Sequence, residues 1–189
     1  ANIITAPNTT KLPITIVAID EASFSQINEQ WPWPREIHAQ IIDKLILSGA
    51  AVIAFDIIFS ENSDEKNDII LRDAIEGTFG AVVMAADHSY HETAIVRHWI
   101  RVDPLEIFTE VGAVSGLATI SLDNDNVVRQ FPVENDAFWR QIIRTLIQMR
   151  PGIVDEPEVP ENSLIRYLGP PGTFPKVSYY QVLNDDPSI

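Results

Sequence analysis

The sequence predicts an α/β fold, with a mixed, largely parallel central sheet flanked by helices in a single domain. Three observations carry that expectation. β-Branched runs at 14–19 and 51–55 each close on an aspartate, Asp20 and Asp56. Between them Ile37, Ile41, Ile42, Leu45 and Ile46 recur at helical spacing. A third apolar run, 80–85, follows another helical stretch. Strand, helix and strand within residues 14–56 read as a βαβ unit, which is nearly always parallel and right-handed.

In chain order, residues 1–13 are polar with two prolines and read as a lead-in linker. The run 14–19 reads as a strand buried on both faces. Trp31-Pro32-Trp33-Pro34 forms a stiff connector, because each proline drives its predecessor toward extended backbone, and Pro34 suits the opening of the next helix. Gly49 sits where that helix needs a C-terminal cap. The buried strand 51–55 leads through a polar stretch, 60–67, to a helix over 68–76 and the third strand.

Segment 87–102 is less regular, with an exposed strand expected at 93–100. Asp103-Pro104-Leu105-Glu106 reads as a helix start capped by Asp103. Residues 113–120 and 127–133 read as hairpin strands around the turn Asp123-Asn124-Asp125-Asn126. The longest helix spans 135–150, with a stripe of Phe138, Ile142, Ile143, Leu146 and Ile147, and is stopped by Pro151. A Pro/Glu-rich loop then precedes a strand near 165–168, a Gly-Pro-Pro-Gly turn at 169–172 and a short helix near 179–183.

Composition narrows the function classes. The 189 residues carry 13 Lys+Arg against 27 Asp+Glu, a formal charge of −14, with no cysteine. Such a surface repels nucleic-acid phosphates and anionic lipid headgroups, and thiolate metal sites and disulfides are excluded. No run of about 18 apolar residues is present to span a membrane. The polar turn at 184–189 reads as a membrane-proximal tail, and the whole as an excised domain of a longer polypeptide.

Catalytic and metal motifs are absent or incomplete. Asp123, Asp125 and Glu134 stand at calcium-loop positions 1, 3 and 12, but Val127, Val128 and Arg129 break that loop. Asp87, His88, His91, Glu92 and His98 offer zinc donors in a segment that does not fix their geometry. The Gly-Pro-Pro-Gly turn lacks the lysine of a phosphate loop, and no serine elbow appears. No cofactor and no catalytic residue is assigned.

Asp20, Arg35 and Asp56 form the leading constellation, since both aspartates should lie at the carboxyl edge of the sheet, where α/β folds place ligands. They make either a polar ligand-binding pocket, walled by Trp31 and Trp33, or a structural network in which Arg35 neutralises the two acids.

Val17-Ala18-Ile19-Asp20-Glu21, Trp31-Pro32-Trp33-Pro34-Arg35 and Phe55-Asp56-Ile57-Ile58-Phe59-Ser60-Glu61 resemble, in that order, the CHASE2 family of extracytoplasmic sensory domains. Asp68-Ile69-Ile70-Leu71, Asp123 to Arg129, and Arg166-Tyr167-Leu168-Gly169-Pro170 with Ser178-Tyr179 continue the likeness over residues 14–183. Asn126 stands where that family usually has glycine, a change the turn tolerates because Asn adopts positive φ readily, and Arg166 stands where it often has asparagine. The resemblance implies a periplasmic or extracellular, non-catalytic domain of a membrane-anchored bacterial receptor. The outputs it implies are histidine kinases, adenylate or diguanylate cyclases and Ser/Thr kinases, within two-component and related signal transduction. A small-molecule or protein signal and a homodimer are the expected partners, and a structural dimerisation or partner-binding module is the competing reading.

Overall fold

A computed structural model describes residues 13–92 and 97–185. In chain order the elements are β1 (Ile16–Ala18), α1 (Glu21–Gln26), α2 (Arg35–Leu47), β2 (Ile53–Phe55), α3 (Glu65–Glu76), β3 (Val82–Glu92), β4 (Arg97–Val102), α4 (Glu106–Thr109), β5 (Val114–Leu117), α5 (Phe138–Met149), β6 (Lys176–Ser178) and α6 (Tyr179–Leu183). The class is the expected α/β one, with parallel pairs dominating. These elements fall into two compact units, one of residues 13–33 with 165–185 and the other Pro34–Leu164.

The larger unit is organised around β3. Its first half is flanked by β2 and β5, both parallel to it, and its second half pairs antiparallel with β4 from Asp87↔Val102 to Glu92↔Arg97. Ala81 to Ala86 are at most 1% exposed, as an apolar run covered on both faces requires. Strand β2 pairs only with β3 among the described residues, and along it Ile53 and Phe55 are buried while Ala54 between them is exposed. The expectation of burial on both faces fails there because the face that carries Ala54 is left uncovered.

Helices α2 and α3 pack on one another, and Ile41, Ile42, Leu71 and Ile75 are fully or almost fully buried. Gly49 caps α2 at φ +87° as its position predicts. Helix α5 packs on β3 and β5. The approach is close at Gly116, where a Cβ would lie 2.8 Å from the Phe138 Cα, so only glycine fits without displacement.

The smaller unit contains the principal topological correction. Strand β1 pairs parallel with β6, Val17 opposite Val177, while β2 pairs with β3; the expected β1–α2–β2 unit does not form. A β-branched run specifies extended backbone but not its neighbour. Ile14 and Ile16 are about half exposed, so β1 is not buried on both faces either. Helix α1, unforeseen, starts directly after Asp20.

Further differences share a cause, in that local residue type did not settle long-range pairing. Residues 87–92 and 97–102 form a regular hairpin instead of an irregular segment; the part of the expected 93–100 strand at 93–96 lies outside the described residues. Leu105, not Asp103, occupies the N-cap position of α4, and the Asp103 carboxylate is drawn to Arg101 and Ser115. The hairpin expected over 113–133 is replaced: β5 pairs with β3, and residues 127–133 contribute one isolated bridge, Gln130↔Leu164, where the strand expected near 165–168 also fails to form. The 123–126 turn holds, with Asn126 at φ +60° and its N–H donated to the Asp123 carbonyl at 2.8 Å. Among the described residues, no helix is long and apolar enough to cross a membrane.

Candidate functional site

Asp20 follows β1 in extended conformation, φ −121° and ψ 174°, which aims its carboxylate at the first turn of α1. Oδ1 accepts from the Ser23 N–H at 3.0 Å and the Ser23 hydroxyl at 2.9 Å. Oδ2 accepts from the Ser178 hydroxyl at 2.7 Å and lies 3.9 Å from the Lys176 ammonium. The Ser178 bond, followed by those from Ser23, holds the Asp20 pKa below the usual carboxylate range against the opposing effect of desolvation. One carboxylate thus joins the corner between β1 and α1 to the end of β6.

Trp31 and Trp33 lie in the same unit. Their rings are 5.3 Å apart and share a cluster with Phe24 and Tyr179, each also 5.3 Å from Trp33. Trp33 is 3% exposed and Trp31 42%, so one indole is core and the other a surface ledge. The Trp31–Pro32 peptide is cis.

Arg35 opens α2 in the larger unit, and its carboxylate partner is Asp68 of α3, at 3.0 Å. It also donates to the Glu61 carbonyl, and its guanidinium lies 5.5 Å from the Phe59 ring centroid and 5.1 Å from that of Phe108. Asp68 in turn accepts from the Ser63 N–H at 3.1 Å and hydroxyl at 2.8 Å. Burial lowers the Arg35 pKa and Asp68 offsets this. One turn along α2, His38 is 2% exposed against Phe55 and Phe59, and desolvation with the Arg35 charge pushes its pKa down to about 4. The neutralising role expected for Arg35 is therefore met by Asp68, a residue not selected from the sequence. Asp56, at the end of β2, is exposed.

Sequence reading missed a different site. Where β3 leaves the parallel sheet for its hairpin, Ile58, Ser60, Asp87, His88, Ser89 and Val102 line an open cavity of about 300 Å³. This is the carboxyl edge of the β2/β3 pair, the position α/β sheets use for ligands. The signal was present in the chain, since Asp87 closes the third apolar run as Asp56 closes the second. By two-residue alternation Asp87, Ser89 and Val102 share one face of the hairpin, and His88 belongs with Arg101 on the other.

Among the described residues two donors reach Asp87, the His88 N–H at 2.8 Å and the Thr119 hydroxyl at 2.6 Å, and both fall on Oδ1. On the opposite face Arg101 is bound to Asp103 at 2.8 Å, to Asp136 and to the Ser115 hydroxyl at 3.2 Å, and Ser115 donates to Asp103 at 2.6 Å. Burial works against the Arg101 charge, but Asp103 and Asp136 outweigh it and raise its pKa. The Leu105 N–H donates to the Phe59 carbonyl at 2.8 Å, tying the segment after β4 to the segment after β2.

Among the described residues no group of His, Asp or Glu is arranged to hold a metal ion. Arg129 spans Asp123 and Asp125 at 2.7 Å, occupying the carboxylates that a calcium loop would use. Trp139, in the first turn of α5, donates its indole N–H to the Pro132 carbonyl at 2.7 Å and packs on Phe131. The more exposed aromatic pair is Tyr90 with Trp99, cross-strand partners 5.2 Å apart on the β3/β4 hairpin.

The family model of the CHASE2 domain matches residues 3–189, essentially the whole chain. No curated protein and no solved structure matches it.

Proposed function

The chain belongs to the CHASE2 family of extracytoplasmic sensory domains, and from that premise we propose that it is the signal-sensing portion of a bacterial membrane receptor. Its parent is anchored in the membrane, and the domain works on the periplasmic or extracellular side, driving a cytoplasmic histidine kinase, nucleotide cyclase or related output. The domain itself carries out no chemistry. The observation that carries this reading is the family match across residues 3–189.

The geometry supports it in two ways. The cavity at the carboxyl edge of β2/β3 joins the segment after β2 to the root of the hairpin, so an occupant contacts two separately anchored pieces of backbone. The first and last described elements, β1 and α6, belong to one unit and are linked through Asp20–Ser178 and the Tyr180 N–H to Ser23 hydroxyl bond. A ligand shifts such a receptor only by its differential affinity for two arrangements, and the chain crosses between units at Trp33–Pro34 and Leu164–Ile165. Asp20, Arg35, Asp56, Trp31 and Trp33 enter this proposal with two kinds of role. Asp20, Arg35 and Trp33 maintain the elements, and Trp31 and Asp56 are surface-accessible to a signal.

The deciding experiment is topological and functional together. The flanking coding sequence is expected to supply apolar spans of about 20 residues, and a reporter fused within this domain should be active only outside the cytoplasm. Activity of such a fusion on the cytoplasmic side overturns the proposal.

The exposed Tyr90–Trp99 pair favours a second reading, a dimerisation or partner-binding module. Mass measured against concentration, repeated with Trp99→Ala, separates the two: a concentration-dependent dimer lost in the variant supports the second.

A further inference from the structure

We infer that the cavity at the carboxyl edge of β2/β3 binds a small organic cation, a primary ammonium attached to a short aliphatic group. The inference extends the sensory reading by giving the signal a chemical class, and it is tested by binding alone. At about 300 Å³ the cavity is at the small end of ligand sites, which excludes a large polymer and suits a compact molecule.

Its chemistry is lopsided. Asp87 brings a carboxylate whose two donors among the described residues both use Oδ1, so Oδ2 is left to a ligand. Ser60 and Ser89 add two hydroxyl oxygens, and Ile58 and Val102 supply apolar wall. An ammonium has three donors, which Asp87 Oδ2 and the Ser60 and Ser89 hydroxyls would match with three acceptors. Among the described residues no lysine or arginine lines it; His88 does, but it alternates with Arg101 to the opposite face of the hairpin from Asp87 and Ser89. Arg101, beside Val102 in the hairpin, alternates to the opposite face and is engaged by Asp103, Asp136 and Ser115.

Anions are disfavoured by the same facts, and the chain charge of −14 raises the local concentration of cations. A bare divalent metal fits poorly, because one carboxylate and two hydroxyls fall short of the six to eight oxygens of a calcium site. The aliphatic portion has a place to go, against Ile58 and Val102, which neither a metal ion nor ammonia would use.

The test is an NMR titration of the isotopically labelled domain with n-propylamine hydrochloride, with sodium acetate and calcium chloride as parallel arms. Propylamine is expected to shift the backbone amides of residues 58–60, 87–89 and 102 saturably, while acetate leaves them in place. Asp87→Asn keeps the Oδ1 acceptor for Thr119 and His88 but removes the charge, and should weaken binding at least tenfold. Val102→Phe fills the cavity without touching any charge and should abolish binding; it also serves as the independent variant should Asp87→Asn lose its folded spectrum. Unmoved cavity amides, equal binding by both variants, or a stronger response to acetate or calcium overturns the inference. Any of those results leaves the receptor reading standing, because the reporter-fusion topology does not depend on amine binding.

Discussion

Changing Asp68 to Asn should cost about 3–5 kcal/mol of folding stability, because it strands a guanidinium in the core. Arg35 is 7% exposed and its carboxylate partner is 3.0 Å away. At that separation the attraction is about 5 kcal/mol at an effective dielectric near 20. The Glu61 carbonyl and the Phe59 and Phe108 rings remain after the change, but none of them carries a compensating charge. Because domains of this kind are stable by about 5–15 kcal/mol, the variant should stay folded with a urea midpoint far below that of the parent. Replacing both partners, Arg35→Met with Asp68→Leu, removes the charge and its counter-charge together and should recover most of the loss. The same arginine contributes to the depressed His38 pKa, so Arg35→Met should raise the His38 titration seen by NMR while leaving it below 6.5, because desolvation is the larger cause. Urea unfolding of Arg35→Met, Asp68→Leu and the double closes the mutant cycle and gives the coupling energy directly. A loss under about 1 kcal/mol for Asp68→Asn, the value of an exposed pair, would refute the structural role given to Arg35 and return it to the ligand-binding candidates.

Three other outcomes are expected. Acid should destabilise the domain through His38: its folded pKa, about 4, lies below the unfolded value near 6.5, so the unfolded chain binds more protons and stability falls as pH drops from about 6.5 through 4. The full effect is about 3 kcal/mol, and His38→Gln should flatten the slope of urea midpoint against pH in that window; an unchanged slope removes His38 as its source. Gly116→Ala should cost about 1–3 kcal/mol, because its Cβ meets the Phe138 Cα at 2.8 Å and α5 must retreat from β5, which thermal unfolding will register. Asp20→Ala should cost about 1–2 kcal/mol as a lost helix cap and accelerate amide exchange in both β1 and β6, since the carboxylate holds Ser23 and Ser178 together; faster exchange confined to α1 would reduce Asp20 to a simple cap.

Features written in neighbouring residues were readable from the chain. The stripe and Gly49 cap of α2, the buried run of β3, the positive-φ turn at Asn126 and the final helix α6 each depend on contacts within one turn or one strand. The ordered blocks around Asp20, Trp31–Arg35 and Phe55–Glu61 likewise revealed the family. The partner of β1 and the acid that neutralises Arg35 were decided by the tertiary structure alone, and so was the meeting of residues 58–60 with the root of the hairpin at Asp87, although the acid closing the third apolar run was visible in the chain. Asp20 meets Ser178 across 158 positions, and β6 is a Lys-Val-Ser triplet whose residues give no sign that a strand awaits them. Periodicity and capping report the energy of a segment with itself and with water, whereas strand pairing and ion pairing report which distant segment arrives beside it. That second quantity depends on the whole chain closing at once, and no local pattern contains it.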